Sequence, residues 1–211
     1  MGQRLASAID ALYTTFSTVP KPTAIDGCPC CWLPAESEEL LRPVPLRSLP
    51  TLAVAPYAAA VPFTAGSPDD FRYFLPRLLE VSVTDGFAGP DADFMGWPTI
   101  EPFLSRLRLT AWTTWDPAER STVRAFLDAF WHDTLTTDPS AAAISAGDAL
   151  CGIGNAEDDL TPYLDTWADL LPAPHPSAHL HDMRAQSYVN AFWDDRGPQH
   201  DQVTAWLEEI G

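Results

Sequence analysis

Lysine is almost absent from this chain, since the only one in 211 residues is Lys21. Lysine and arginine together number 12 against 29 aspartates and glutamates, which leaves a formal net charge of −17. A surface this negative repels nucleic-acid phosphates and anionic lipid headgroups. We therefore expect no direct nucleic-acid binding and no membrane association. The acidity suits a basic protein partner, a solubilising surface or, more weakly, mimicry of nucleic acid.

Long apolar runs and familiar catalytic signatures are also missing. No stretch approaches the roughly 20 apolar residues that cross a bilayer, and the N-terminus lacks a secretory pattern. The chain has no Walker loop, no Gly-x-Ser-x-Gly elbow and no Gly-x-Gly-x-x-Gly fingerprint. These absences predict a cytoplasmic protein. They also disfavour the usual classes of hydrolase, nucleotide-binding protein and dehydrogenase. We therefore expect that the protein has no catalytic activity of its own.

Apolar residues that are present recur at the spacing of helices. Leu5, Ile9, Leu12 and Phe16 follow one another at three- and four-residue intervals, and no segment alternates as a strand would. A hydrophobic content of 46% with eight tryptophans is enough to fill a core. The sequence predicts an all-α fold, either an irregular stack of helical hairpins or a helix bundle. We expect one domain over residues 1–211, with a soft division near residues 85–96.

Capping residues and prolines mark several helix starts. The predicted starts are Ser67-Pro68, Asp116-Pro117 with Glu119 as a capping-box acid, Ser145 with Asp148, and Thr161-Pro162. A short helix is expected after Ser37, and short helical pieces broken by prolines are expected between Leu49 and Phe63. Two further helices are predicted, one around residues 188–193 and one around residues 203–210.

Three of the four cysteines lie in one run, Gly27-Cys28-Pro29-Cys30-Cys31-Trp32, inside a Pro-rich connection over residues 20–34. The simplest interpretation is a tight, buried turn tucked under Trp32, in which cysteine acts as a small hydrophobe. Gly27 would permit unusual dihedral angles there, and Pro29 would fix one angle. This interpretation needs no chemistry from the thiols.

A zinc site is the second interpretation, because thiolates and imidazoles are the ligands that structural zinc prefers. Cys28 and Cys31 have the separation of a zinc knuckle, although the C-x-C-C spacing as a whole departs from it. The remaining ligands would come from elsewhere in the chain. The predicted set is Cys28, Cys30, Cys31, Cys151 and His179, and the cofactor prediction is zinc or none.

A redox dithiol is the third interpretation, since Cys28 and Cys31 also read as C-x-x-C. The run is flanked by acidic residues, which are Asp26, Glu36, Glu38 and Glu39. Nearby negative charge is expected to raise the pKa of the thiols and to oppose thiolate formation. The βαβ pattern that accompanies thioredoxin-like sites is also missing.

A second segment, Asp70-Phe71-Arg72-Tyr73-Phe74-Leu75-Pro76-Arg77-Leu78-Leu79-Glu80, stands beside the cysteine run as a marker. Together the two segments resemble a widespread group of bacterial proteins that carry a GCPCC run and a DFRxFLPRxLE segment. The resemblance extends through the Trp-rich second half of the chain. It implies a bacterial cytosolic protein and brings no activity with it.

Arg72 and Arg77 are unusual cations on an acidic chain, and both lie on one predicted helix. Their ordinary role is to pair with nearby acids. Alternatively, together with Trp32, they mark a recognition surface, because arginine and tryptophan are enriched in interface hot spots. Periodicity, acidity and abundant tryptophan predict a protein that acts by binding another protein. The alternative is a metal- or thiol-dependent protein built on the cysteine run.

Overall fold

The fold is entirely helical in the part of the chain that the structure describes. A computed structural model describes residues 1–84, 87, 99–185 and 197–210, and these contain ten α-helices and no β-strand. In chain order they are α1 (Gln3–Thr15), α2 (Pro34–Leu40), α3 (Thr51–Ala60), α4 (Pro68–Thr84), α5 (Ile100–Leu109), α6 (Pro117–Thr136), α7 (Ala146–Ala156), α8 (Thr161–Leu170), α9 (Pro174–Ala185) and α10 (Gly197–Glu209). The all-α prediction is confirmed. None of the described helices combines the length and the apolar character needed to span a bilayer.

Two helices near the cysteine run, α2 and α3, differ from the predictions, and α10 begins at Gly197, earlier than its predicted apolar residues. Helix α2 begins at Pro34 instead of after Ser37, because Glu36 accepts a hydrogen bond from the Leu33 N–H (2.6 Å) and caps an earlier start. Helix α3 is one continuous helix with Pro56 inside it, where short pieces were expected. Burial of most of its residues offsets the hydrogen bond that proline removes. The helix predicted around residues 188–193 and most of the division near residues 85–96 lie outside the described residues.

Helix α6 is the centre of the packing, with contacts to α1, α7, α8 and α9. Helix α1 also contacts α4, and α5 packs along α7. The apolar stripe of α1 faces inward as its spacing predicts, since Leu5, Ile9 and Leu12 are buried. Buried apolar side chains from α1 through α10 form one continuous cluster.

Three tryptophan side chains lie inside this core. Trp112, Trp131 and Trp167 are fully buried. Their indole N–H groups donate to backbone carbonyls, which are those of Ala156 (3.0 Å), Tyr163 (2.8 Å) and Pro176 (3.1 Å). Each buried indole is therefore satisfied, as a polar group removed from water requires. These three tryptophans stabilise the interior and offer no surface to a partner.

Candidate metal centre

The cysteine run lies on a loop between α1 and α2 that is hydrogen-bonded to the connection between α3 and α4. The Cys28 N–H donates to the Thr64 carbonyl (2.7 Å), and the Gly66 N–H donates to the Asp26 carbonyl (2.7 Å). Inside the run, the N–H groups of Cys31 and Trp32 both donate to the Cys28 carbonyl (2.9 Å each). The backbone that carries the thiols is thus held both within the turn and from outside it.

Trp32 anchors the turn in the core. Its side chain is 5% exposed, its ring meets Tyr57 edge-on at a centroid distance of 6.0 Å, and its indole N–H donates to the Ser37 hydroxyl (2.7 Å) on α2. Trp32 therefore attaches the loop to both α2 and α3. Most of Trp32 is thus removed from solvent, and the interface role expected of it stays a prediction.

The three cysteines of the run are more exposed than Trp32. Cys30 and Cys31 are exposed and Cys28 is half-buried, so the interpretation as a buried turn is wrong for the cysteines, although it holds for Trp32. The Cys30 Sγ lies 3.0 Å from the Cys28 Sγ and 3.4 Å from the Cys31 Sγ. All three sulfur atoms lie within 4.8 Å of one another, and none is in a disulfide. Cys30 stands between the other two thiols.

Hydrogen bonding shifts the pKa values of two of these thiols, Cys28 and Cys30. The pKa of Cys28 is lowered by hydrogen bonds from the Cys30 thiol and the Cys30 N–H, with smaller contributions from Cys31. The pKa of Cys30 is raised to about 11, because its proton is shared with the neighbouring sulfurs. The flanking acids do not raise the pKa of Cys28 as expected. Glu36 caps α2 and Glu39 pairs with Arg42 (3.1 Å).

Cys151 and His179 do not join the cysteine run. Cys151 is 1% exposed on α7, where burial and the nearby Glu101 raise the pKa of its thiol. His179 is buried on α9, and its Nε2 donates to the Thr137 carbonyl (2.9 Å). Among the described residues, the three clustered cysteines are the only group of three or more His, Cys, Asp or Glu side chains close enough to share an ion. The predicted second pair of zinc ligands is therefore not assembled.

The two arginines singled out on α4 are engaged within the fold. One guanidinium nitrogen of Arg72, Nη2, donates to both carboxylate oxygens of Glu119 (2.7 and 2.9 Å), so Glu119 binds α4 instead of serving as the predicted capping-box acid. Arg77 donates to Glu80 (2.7 Å) and to the Leu49 carbonyl (2.9 Å). Both show the ordinary role of pairing with acids.

An apolar groove adjoins the cysteine run, and the sequence did not reveal it. The residues that line it include Thr23, Ile25, Pro29, Trp32, Leu41 and Pro43. Gly27 lines it as well, so three residues of the run border the groove, although none of them is a cysteine. The groove continues along the connection and α2. The only sequence signal for the groove was the Pro-rich composition of residues 20–34. Proline disfavours a helix, so this stretch stays an irregular connection.

Comparison of the chain with protein-family models, with curated proteins and with solved structures finds no match. The resemblance to bacterial proteins with a GCPCC run stays a prediction. Any functional conclusion must come from the site itself.

Proposed function

We propose that this chain binds a zinc ion through the thiolates of Cys28, Cys30 and Cys31. The observation that carries the proposal is the mutual approach of three sulfur atoms within 4.8 Å on a braced turn. Zinc–sulfur bonds of about 2.3 Å in a tetrahedron place sulfur atoms about 3.8 Å apart. The separations of 3.0 and 3.4 Å need to open by less than about 1 Å, which side-chain rotation supplies.

The electrostatics of the turn favour a bound cation. Hydrogen bonds from Cys30 lower the pKa of the Cys28 thiol, which makes its thiolate easier to form. Cys30 must give up its proton, since only deprotonated thiols bind zinc. Zinc binding therefore releases protons, and the affinity is expected to rise with pH as the thiols ionise. A net protein charge of −17 adds a long-range attraction for cations.

Zinc titration of the reduced, metal-free protein tests this proposal. We expect one zinc per chain by native mass spectrometry, with loss of binding in Cys28→Ser and Cys31→Ser. Cys151→Ala is the matched control, because that cysteine is buried away from the cluster. A wild-type protein that takes up no zinc overturns the proposal. A variant lacking all three clustered cysteines that still binds zinc does the same.

Reversible thiol oxidation is a second candidate, favoured by the 3.0 Å approach of the Cys28 and Cys30 sulfurs and by the lowered pKa of Cys28. A peroxide would oxidise the Cys28 thiolate to a sulfenic acid. A second thiol would then displace water to form a disulfide. Peptide mapping after mild peroxide treatment should find a linkage within residues 28–31. Finding all three thiols unmodified, or only over-oxidised, rejects this candidate.

Binding to a protein partner also stays a proposal. The features that support it are the acidic surface and two exposed apolar side chains, Leu33 (58% exposed) and Phe63 (62% exposed). Leu33 follows the cysteine run in sequence, and Phe63 precedes Thr64, whose carbonyl accepts a hydrogen bond from the Cys28 N–H. Capture from native lysate, repeated with Leu33→Ser and Phe63→Ser, checks this directly. Loss of a stoichiometric partner in either variant is the expected result. The absence of any such partner for the wild-type protein counts against it.

A further inference from the structure

We propose that the zinc ion takes its fourth ligand from outside the chain, and that this ligand is an organic thiol bound as a thiolate in the groove beside Cys28, Cys30 and Cys31. The inference rests on the proposed zinc site. It names the class of small molecule that the site receives.

The first step is the vacant coordination position. Zinc in proteins is almost always tetrahedral, and sites with three protein ligands hold an exogenous ligand in the fourth position. Within the described ranges, no fourth His, Cys, Asp or Glu side chain approaches all three sulfurs. Of the neighbouring acids, Glu36 accepts a backbone N–H and Glu39 pairs with Arg42. Glu38 lines the groove, but neither it nor Asp26 belongs to the group of side chains close enough to share an ion with the three sulfurs.

The second step is access from solvent. Cys30 and Cys31 are exposed, while Cys28 is half-buried. A molecule from solvent can therefore reach the cluster. A closed structural zinc site, by contrast, surrounds its ion with protein ligands.

The third step is the chemistry of the incoming ligand. Thiolates are ligands that suit zinc, whereas carboxylates suit harder ions such as Mg²⁺ and Ca²⁺, which favours sulfur over a carboxylate at the open position. The groove that begins at Pro29 and Trp32 has apolar walls, including Ile25, Leu41 and Pro43. An organic thiol satisfies both requirements, because its sulfur binds the zinc while its carbon substituent lies along these walls.

The exchange is balanced without an oxidant or a reductant. With zinc held by Cys28, Cys30 and Cys31, the sulfur of the added thiol would take the place of a water ligand, and the thiol proton would pass to solvent. Zinc keeps its oxidation state throughout, and coordination holds the thiol deprotonated at neutral pH. The site would thus present a small thiol as its thiolate.

Cobalt-substituted protein, reduced with a phosphine so that no other thiol is present, provides the test. Sulfur-to-cobalt charge-transfer absorbance should rise by about one third when ethanethiol is added, because four thiolates then replace three. Butanethiol should bind more tightly than ethanethiol, by up to about fourfold for each methylene that the groove buries. Butanol at equal concentration is the control and should leave the spectrum unchanged.

The outcomes separate this inference from the zinc proposal. If cobalt binds through the three cysteines and added thiols leave the spectrum unaltered, the inference is wrong and the metal site stands. If light scattering gives the mass of a dimer and metal analysis gives one ion per dimer, a second copy supplies the fourth ligand. The inference is then again wrong. Equal affinity for ethanethiol and butanethiol would show that the groove does not bind the carbon substituent, which contradicts that part of the inference. If cobalt and zinc both fail to bind, both proposals fall.

Discussion

Gly27 and the indole of Trp32 are packed so closely that a Cβ atom on Gly27 would lie 2.7 Å from the ring Cδ1. Real Cβ atoms do not make contacts this short, so one of the two groups would have to move. The backbone of Gly27 is not left-handed, since the only described glycine with a positive φ is Gly66. Gly27 is therefore required by the close approach of Trp32, and through that ring the turn is attached to the core.

Gly27→Ala should loosen the cysteine turn. The added methyl group must displace Trp32 from its contact with Tyr57, and overpacking of this kind costs about 1–3 kcal/mol in the free energy of unfolding. We also expect weaker zinc binding, because the sulfur positions depend on the same turn. Chemical denaturation and zinc titration measure the two effects. Gly197→Ala is the control, since a Cβ there meets nothing within 4 Å, and equal behaviour of the two variants would contradict the packing argument.

Glu119→Gln should destabilise the protein by removing a charged partner from Arg72. The Glu119 carboxylate is 8% exposed and accepts two hydrogen bonds from one guanidinium nitrogen of Arg72. Hydrogen bonds to charged groups contribute about 1.5–3 kcal/mol each, so we expect a loss of about 2 kcal/mol by chemical denaturation. Glu39→Gln breaks an exposed pair with Arg42 and should cost less than about 1 kcal/mol. Similar losses of unfolding free energy in both variants would contradict the claim that the buried pair contributes more than the exposed pair.

Stability at low pH should depend on Glu80. Its carboxylate accepts hydrogen bonds from three side chains, which are Tyr13 (2.6 Å), Arg77 (2.7 Å) and Arg47 (2.9 Å). Burial by itself would raise the pKa of Glu80, but these hydrogen bonds outweigh it and hold the pKa below its ordinary value.

A lowered folded-state pKa means that the carboxylate stabilises the protein above the unfolded pKa of about 4.3. That contribution disappears as the pH falls through the folded pKa. The difference in unfolding free energy between wild type and Glu80→Gln should thus be constant near neutral pH and shrink below about pH 4. Denaturation curves measured from neutral pH to strong acid check this. A difference that grows in acid would show that the sign is wrong.

Cys28 should be the first cysteine that iodoacetamide modifies in the metal-free protein. The thiolate is the nucleophile, and hydrogen bonds from Cys30 lower the pKa of the Cys28 thiol. Cys30→Ala removes the largest of these contributions and should slow the reaction near neutral pH. Mass spectrometry of the alkylated peptides gives the order of reaction. Cys151, whose pKa is raised by burial, should react only on unfolding, and early modification of Cys151 would contradict its buried placement.

Helix positions were largely predictable because their signals are local. Helices α4 and α6 begin at Pro68 and Pro117, and α7 follows a Ser145 cap, as the capping residues indicate. The predictions failed where distant contacts intervene. Pro56 lies inside a helix because the surrounding residues are buried, and Glu119 binds Arg72 across 47 positions of sequence.

The amino-acid sequence by itself determined that the chain is helical and that three thiols share one short turn, because apolar spacing and covalent adjacency act within a few residues. Only the tertiary structure decided which side of that turn meets solvent. The packing of Trp32 against Gly27 and Tyr57 leaves Cys30 and Cys31 exposed. The burial of Cys151 on α7 and the groove beside Pro29 follow from packing between segments far apart in the chain, which no local pattern encodes.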